Sequence, residues 1–190
     1  MKHLAWLLMI ALASTTAARA QQTAAPAASY NSEVMAVIEE QEKKVVSLAE
    51  AVPQEKYTWA PGEGVRNTAQ IYLHIALANY AFAGFLGVKP PEGFVMKGFD
   101  TSTTDKAKIV EHLKRSFDNL KQAVRASTDL EKKVKVFGEE TTARDAMLRA
   151  ASHNGEHMGQ SIAYARMSGV VPPWTAAEQA QQKPAPPAKK

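Results

Sequence analysis

Apolar residues recur along this chain at steps of three and four positions, the spacing that keeps side chains on one face of an α-helix. In the stretch 32–51 and just beyond it, this face holds Val34, Ile38, Gln41, Val45, Leu48 and Val52. Charged residues occupy the opposite side of the same stretch. The pattern therefore predicts an outer helix of a helical bundle.

The second predicted helix has a recognisable start. Asn67 followed by Gln70 forms an Asn-x-x-Gln capping pattern, in which each side chain bonds a backbone N–H group of the other residue. The apolar run 71–86 follows this pattern, and Gly87 ends it ahead of Pro90. We therefore predict a helix that begins directly after Asn67.

The third helix lies in the proline-free stretch 92–171 and is predicted to begin at Thr103 or Thr104. Its apolar face repeats at alternating steps of three and four, as in helical bundles, with Val110, Leu113, Phe117, Leu120 and Val124. His112 lies off this face, so we expect it at the surface. The segment 133–137, which follows this helix, could be extended.

The fourth helix is predicted to run from Thr142 to about Ser168. Gly169 stands where a helix C-cap is expected, and two prolines follow it. Four long helices with almost no strand signal predict an all-α fold, a four-helix bundle.

The N-terminus has the features of a secretory signal peptide. Lys2 precedes ten consecutive apolar residues, 4–13, and an A-x-A cleavage motif ends at Ala20. An apolar run of this length is too short to cross a bilayer, which needs about 20 residues, so no membrane span is predicted. We therefore expect residues 1–20 to be removed and the protein to be exported, to the periplasm or the extracellular space.

Both flanks of the predicted bundle have low-complexity composition. Residues 21–30, rich in Ala and Gln, are predicted to be a linker, and residues 176–190, rich in Pro and Lys, a disordered tail. The folded part is then a single domain, 31–175.

Charge and cysteine content exclude several functional classes. Removal of Lys2 and Arg19 with the signal peptide takes two from the formal charge of +4 and leaves +2, which is too near neutral to favour a nucleic-acid partner. Cysteine is absent, so disulfides, thiol nucleophiles and thiolate metal ligands are excluded.

Three histidines lie on the predicted inward faces of two helices. His153 and His157 are four residues apart, which places their Cβ atoms about 5–6 Å from each other, so both rings could bind one cation. His74 lies on the second helix beside two small residues, Ala78 and Ala81, which leave volume for a ligand. Burial of three unpartnered imidazoles would cost about 1–3 kcal/mol each, and a shared metal ion removes that cost.

Four short motifs follow one another through the folded part. They are Trp59-Ala-Pro-Gly-Glu-Gly64, Ile-Tyr-Leu-His74-Ile-Ala, Ser-His153-Asn-Gly-Glu-His157-Met-Gly-Gln160 and Ala-Arg166-Met-Ser-Gly-Val-Val-Pro-Pro173. In order and spacing these motifs resemble the DinB-like (YfiT-like) superfamily of small four-helix bundles.

The resemblance implies that His74, His153 and His157 bind a divalent metal ion, zinc or nickel in that family. Three imidazoles without a fourth protein ligand leave a position for water or substrate. Glu156 and Gln160 lie to one side of His153 on the helical wheel. We expect Gln160 to support a metal ligand, and Glu156 is a candidate general base unless it is a solvated surface charge.

The leading hypothesis is a metal-dependent enzyme of the transferase or hydrolase type that acts on a small molecule. Two alternatives stay open: a non-enzymatic metal-binding or interaction module, and a metal-free bundle whose histidines are only hydrogen-bonded. The alternative that the protein forms a homodimer also stays open. Gly155 and Gly159 lie opposite the histidines and would permit close approach of a neighbouring helix or subunit.

Overall fold

The computed structural model describes residues 29–182. Within this range the chain forms four long helices and a shorter fifth one: α1 (Tyr30–Ala51), α2 (Thr68–Phe85), α3 (Lys106–Ala126), α4 (Ala143–Met167) and α5 (Pro173–Gln182). Two single 3-10 turns, Gln54–Lys56 and Phe99–Thr101, lie in the loops on either side of α2. The predicted four-helix bundle is therefore present, while the predicted signal peptide, 1–20, lies outside the described residues.

The start of α2 matches the predicted capping pattern. Asn67 Oδ1 accepts a hydrogen bond from the Gln70 backbone N–H at 2.9 Å, and Gln70 Oε1 accepts one from the Asn67 N–H at 2.8 Å. The third helix begins slightly later than predicted. The side chain of Asp105, rather than that of a threonine, caps α3 by accepting a bond from the Lys108 N–H.

A β-hairpin replaces the single extended segment predicted between α3 and α4. Strands β1 (Lys133–Val136) and β2 (Glu139–Thr142) pair antiparallel. The two residues between them, Phe137 and Gly138, have φ values of +50° and +93°, as a tight two-residue hairpin turn requires. The β2 sequence, Glu-Glu-Thr-Thr, alternates no apolar residues, so the pattern did not predict it.

Both predicted flanks of the bundle need correction. The linker predicted over 21–30 ends earlier, because Tyr30 is the first residue of α1, whose N-terminus is capped by Ser29. The predicted disordered tail, 176–190, is helical as far as Gln182. Proline is well tolerated at the first position of a helix, and the alanines, Glu and glutamines that follow Pro173 are good helix formers.

The four long helices are not arranged in chain order around the bundle. Helix α1 packs against α3 and α4, and α2 packs against the same two helices. The consecutive helices α1 and α2 therefore lie diagonally opposite each other, as do α3 and α4. This order makes α2 and α4, which carry the three histidines, direct neighbours. Within residues 29–182, no helix is long and apolar enough to span a bilayer.

The apolar faces predicted for the helices form the core. On α1 every predicted position is buried, including the polar Gln41. On α3 the prediction holds from Leu113 to Val124, but Ile109 is buried where Val110 was predicted, and Val110 is only half-buried.

A chain of buried polar side chains also crosses the core. Asn154 Nδ2 donates to Asn79 Oδ1 at 2.9 Å, and Asn79 Nδ2 donates to Ser116 Oγ at 3.2 Å. Ser116 Oγ in turn donates to the Leu113 carbonyl at 2.8 Å. These bonds connect α4, α2 and α3 through three side chains that are at most 1% exposed.

The two glycines of α4 are expected to respond differently to substitution by alanine. A Cβ atom at Gly159 would have no neighbour within 4 Å, so Gly159→Ala should stabilise the protein by about 0.5–1 kcal/mol through helix propensity. A Cβ atom at Gly155 would lie 3.3 Å from Gln41 Nε2, which donates to the Ala151 carbonyl. Gly155→Ala should therefore gain less, because Gln41 must shift. Urea unfolding of both variants checks this, and equal gains would contradict it.

Candidate metal centre

The three inward histidines meet between α2 and α4. One ring nitrogen from each of His74, His153 and His157 lies within 4.8 Å of the other two. His74 Nε2 and His153 Nε2 are 3.2 Å apart. The centres of the three rings are 4.5–5.0 Å from one another, so the imidazoles form a compact cluster.

This geometry fits a divalent ion. Around a tetrahedral metal with nitrogen ligands at about 2.0–2.1 Å, two ligand nitrogens lie about 3.3 Å apart, close to the observed separation between His74 and His153. Three imidazole ligands suit zinc and nickel and leave a coordination position without a protein ligand. The three histidines can therefore bind a metal ion.

Gln160 orients one of these rings. Its Oε1 lies 2.8 Å from His157 Nδ1, so the nitrogen must carry the proton and donate it. In the neutral ring with this tautomer, the other nitrogen, Nε2, offers its lone pair. Gln160 Nε2 is 3.5 Å from the Tyr164 hydroxyl, one helical turn further along α4. Gln160 was predicted to support a metal ligand, and this contact with His157 agrees with the prediction.

Two of the rings are held in the neutral form. Burial, together with the charge of Arg66 and the neighbouring His157 ring, lowers the pKa of His74 to about 4. Burial and the two neighbouring rings lower the pKa of His153 to about 4 as well. Both imidazoles are therefore unprotonated near neutral pH, which is the state that binds a metal.

Aromatic rings flank the cluster on the side of the hairpin. The ring of Phe82 lies 6.1 Å from that of His153, and Phe82 and Phe85 both contact Phe137 at the hairpin turn. The buried Nδ1 atom of His153 has no hydrogen-bond partner among the described residues. His153 is thus held by packing rather than by a hydrogen bond at Nδ1.

Glu156 is placed differently from Gln160. Its side chain is exposed and takes part in none of the hydrogen bonds or ion pairs found in residues 29–182. Its charge nevertheless acts on His153, whose pKa it tends to raise. The role of general base stays a prediction. His112 is half-buried against the ring of Phe99 and is not one of the clustered histidines.

An open hollow of about 540 Å³ adjoins the cluster. Its lining consists of Gly64, Val65, Arg66, Gln70 and Gln160. Ligand space was expected beside Ala78 and Ala81, but both are buried in the bundle and neither lines this hollow. The hollow lies instead where the loop before α2 meets α4.

Two features of this region were not predicted from the sequence. Arg66 was not singled out, since a charged residue in a loop has no periodic signal. The polar chain through Asn79 was also missed, although an Asn within the apolar run of α2 was a usable hint. Trp59 lies in the loop that leads into α2, where its carbonyl accepts the Thr68 N–H and its ring packs edge-on against Tyr164.

Comparison with known proteins gives one family. A sequence model of the DinB superfamily matches residues 38–161 of this chain. Among curated proteins none matches significantly.

Three solved structures share the fold. A DinB-like protein from Bacillus cereus gives a TM-score of 0.66 at 16% identity, over 75% of this chain and 95% of that protein. A DinB-like protein from Bacillus subtilis, YjoA, gives 0.57 at 21% identity, over 73% and 93%. YfiT from Bacillus subtilis, described as a probable metal-dependent hydrolase with an unusual four-helix bundle topology, gives 0.60 at 17% identity, over 78% and 94%. At these identities the likeness establishes the fold alone.

Proposed function

This chain belongs to the DinB superfamily, and from that premise we propose that it is a metal-dependent enzyme, of hydrolase or transferase type, acting on a small molecule. The observation that carries the proposal is the cluster of His74, His153 and His157, whose ring nitrogens lie within 4.8 Å of one another. The description of YfiT as a probable metal-dependent hydrolase supports the hydrolytic alternative.

The side chains of the metal site have separate proposed roles. His74, His153 and His157 would hold the ion, zinc or nickel, and Gln160 would fix the ring of His157 through the bond to Nδ1. The bound ion would supply Lewis acidity toward a carbonyl or phosphoryl group of the substrate. With only three protein ligands, the site keeps room for that group.

Glu156 is the carboxylate we propose as proton acceptor. It is one residue from His157 and acts electrostatically on His153. Because its side chain is exposed and free of ion pairs within the described part of the chain, it can turn toward a substrate without breaking a bond. A general base of this kind contributes about 10²–10⁴-fold to a rate.

The proposal is tested by a screen of metal-loaded protein against small esters, amides, phosphate esters and group-transfer substrates. We expect a chelator to abolish the activity that is found and added zinc or nickel to restore it. Glu156→Gln should lower kcat by about 100-fold or more, whereas Glu39→Gln, on the exposed side of α1, should not. Stoichiometric metal without activity on any substrate would instead favour a non-enzymatic binding module.

We also propose that the protein acts outside the cytoplasm, in the periplasm or beyond it. The support is the sequence of residues 1–20, with its short apolar run and A-x-A motif. We expect the mature protein to begin at Gln21, which intact-mass measurement of the cell-envelope fraction would detect. Ala20→Lys should block the cleavage, because signal peptidase sites require small residues there. An intact chain starting at Met1 and confined to the cytosol would contradict the proposal.

A further inference from the structure

Arg66 is a cation without a carboxylate partner in the loop that leads into α2. Its side chain is exposed, and none of the ion pairs or side-chain hydrogen bonds in residues 29–182 involves it. By contrast, Arg115, Arg144 and Arg149 each pair with an acidic residue. The guanidinium of Arg66 therefore keeps its five N–H donors available.

The surroundings of Arg66 offer donors rather than acceptors of hydrogen bonds. Gln70 uses its Oε1 to accept from the Asn67 N–H, and Gln160 uses its Oε1 to accept from His157. Within the described residues Gln70 keeps its NH₂ group free, while that of Gln160 makes a long contact of 3.5 Å with the Tyr164 hydroxyl. No acidic residue of the described chain lines the hollow that Arg66 shares with these amides. Arginine and amide N–H groups together form the donor set that recognises carboxylate or phosphate oxygens.

Within the described residues, Gln160 connects the hollow to the metal centre. It lines the hollow, and its Oε1 contacts His157 Nδ1. The charge of Arg66 acts on both His74 and His153. Asp100 opposes it more weakly at His74, and Glu156 opposes it more strongly at His153. A ligand in the hollow would therefore lie against Arg66 and against Gln160, the side chain that contacts His157.

We propose that Arg66 binds an anionic group of the substrate, so that the substrate class is small molecules bearing a carboxylate or phosphate. The oxyanion would lie in the hollow between Arg66, Gln70 and Gln160, and a second polar group of the same molecule would reach the metal. This inference rests on the proposed function for the second contact, but the first contact depends only on residues of the hollow.

The test is calorimetric titration of succinate, inorganic phosphate and neutral succinamide into metal-free and zinc-loaded protein. Arg66→Ala should raise the Kd for the better of the two anions by about 10-fold or more, since a hydrogen bond to a charged group contributes about 1.5–3 kcal/mol. Arg66→Lys, which keeps the charge but loses the planar fork, should lie between Arg66→Ala and the wild type. Arg125→Ala, at the exposed end of α3, should bind like the wild type.

Each outcome of the titration either supports or overturns anion binding by Arg66. A preference for either anion over succinamide that disappears in Arg66→Ala supports the inference, and the two anions separate carboxylate from phosphate as the recognised group. Equal anion affinity in Arg66→Ala and the wild type overturns it, as does an equal loss in Arg125→Ala. Metal content is measured on the same samples. Failure of the wild type to hold zinc counts against the proposed function, while the metal-free titration still reports on Arg66.

Discussion

Replacement of His153 by alanine is expected to lower the affinity for zinc or nickel by more than about 100-fold, the upper end of the loss seen when a supporting residue outside the ligand set is removed. The variant removes one of two nitrogens that lie 3.2 Å apart at the centre of the cluster. Two protein ligands then remain, which is one fewer than catalytic zinc sites generally have. Competition with a chelator of known affinity measures the change.

The same variant should keep its fold without metal. His153 Nδ1 is buried without a partner in the described structure, so truncation of the ring removes an unsatisfied polar atom together with its packing. Circular dichroism of the metal-free variant therefore separates loss of the site from loss of the fold.

Two further variants calibrate the result. His112→Ala removes a histidine that packs on Phe99 away from the cluster, so it should bind metal like the wild type. Gln160→Leu should weaken binding by about 10–100-fold, because His157 Nδ1 loses its acceptor. If His153→Ala binds as tightly as His112→Ala, the three histidines do not form a metal site.

The second large effect is expected at Asn79. Asn79→Ala removes the acceptor of Asn154 Nδ2 and the donor to Ser116 Oγ, both in the buried core. Asn154 Oδ1 already lacks a partner among the described residues, so the whole amide of Asn154 would be buried without a hydrogen bond. The free energy of unfolding should fall by about 2–4 kcal/mol, as measured by urea denaturation.

A double-mutant cycle identifies the cause. If the cost arises from the stranded amide, Asn79→Ala with Asn154→Ala should be less destabilising than the sum of the two single variants. Ser152→Ala, an exposed change on the same helix as Asn154, should cost little. A loss below about 0.5 kcal/mol in Asn79→Ala would contradict the role given to the polar chain.

The sequence predicted the helices well because their signals are local. Three- and four-residue spacing, the Asn67 cap and the glycines after α2 and α4 depend on residues within a few positions of one another. The β-hairpin was only half predicted, since the pairing of Glu139–Thr142 with β1 depends on the turn at Phe137. Helix α5 was missed because composition suggested disorder over a segment that contains good helix formers.

The order of the helices around the bundle could not be predicted from periodicity. A periodic pattern shows which face of a helix is buried, but not which helix covers it. Prediction of the candidate site was limited in the same way. The i, i+4 spacing brought His153 and His157 together, and the inward face of the second helix added His74 as a candidate. Periodicity could not show that these two faces meet. Arg66 depends on the course of the loop, where Gly64 adopts a φ of +78° that only the three-dimensional structure reveals.

The diagonal placement of consecutive helices affects how this protein reaches its native state. In an up-and-down bundle, each new helix can dock on the one made just before it, so most contacts close short loops. Here α1 packs against α3 and α4, which both come after α2 in the chain. Among the four long helices described, α2 and α3 are the consecutive pair that packs together. Contacts that are far apart in sequence slow folding. We therefore expect refolding to be slower than that of an up-and-down bundle of equal length.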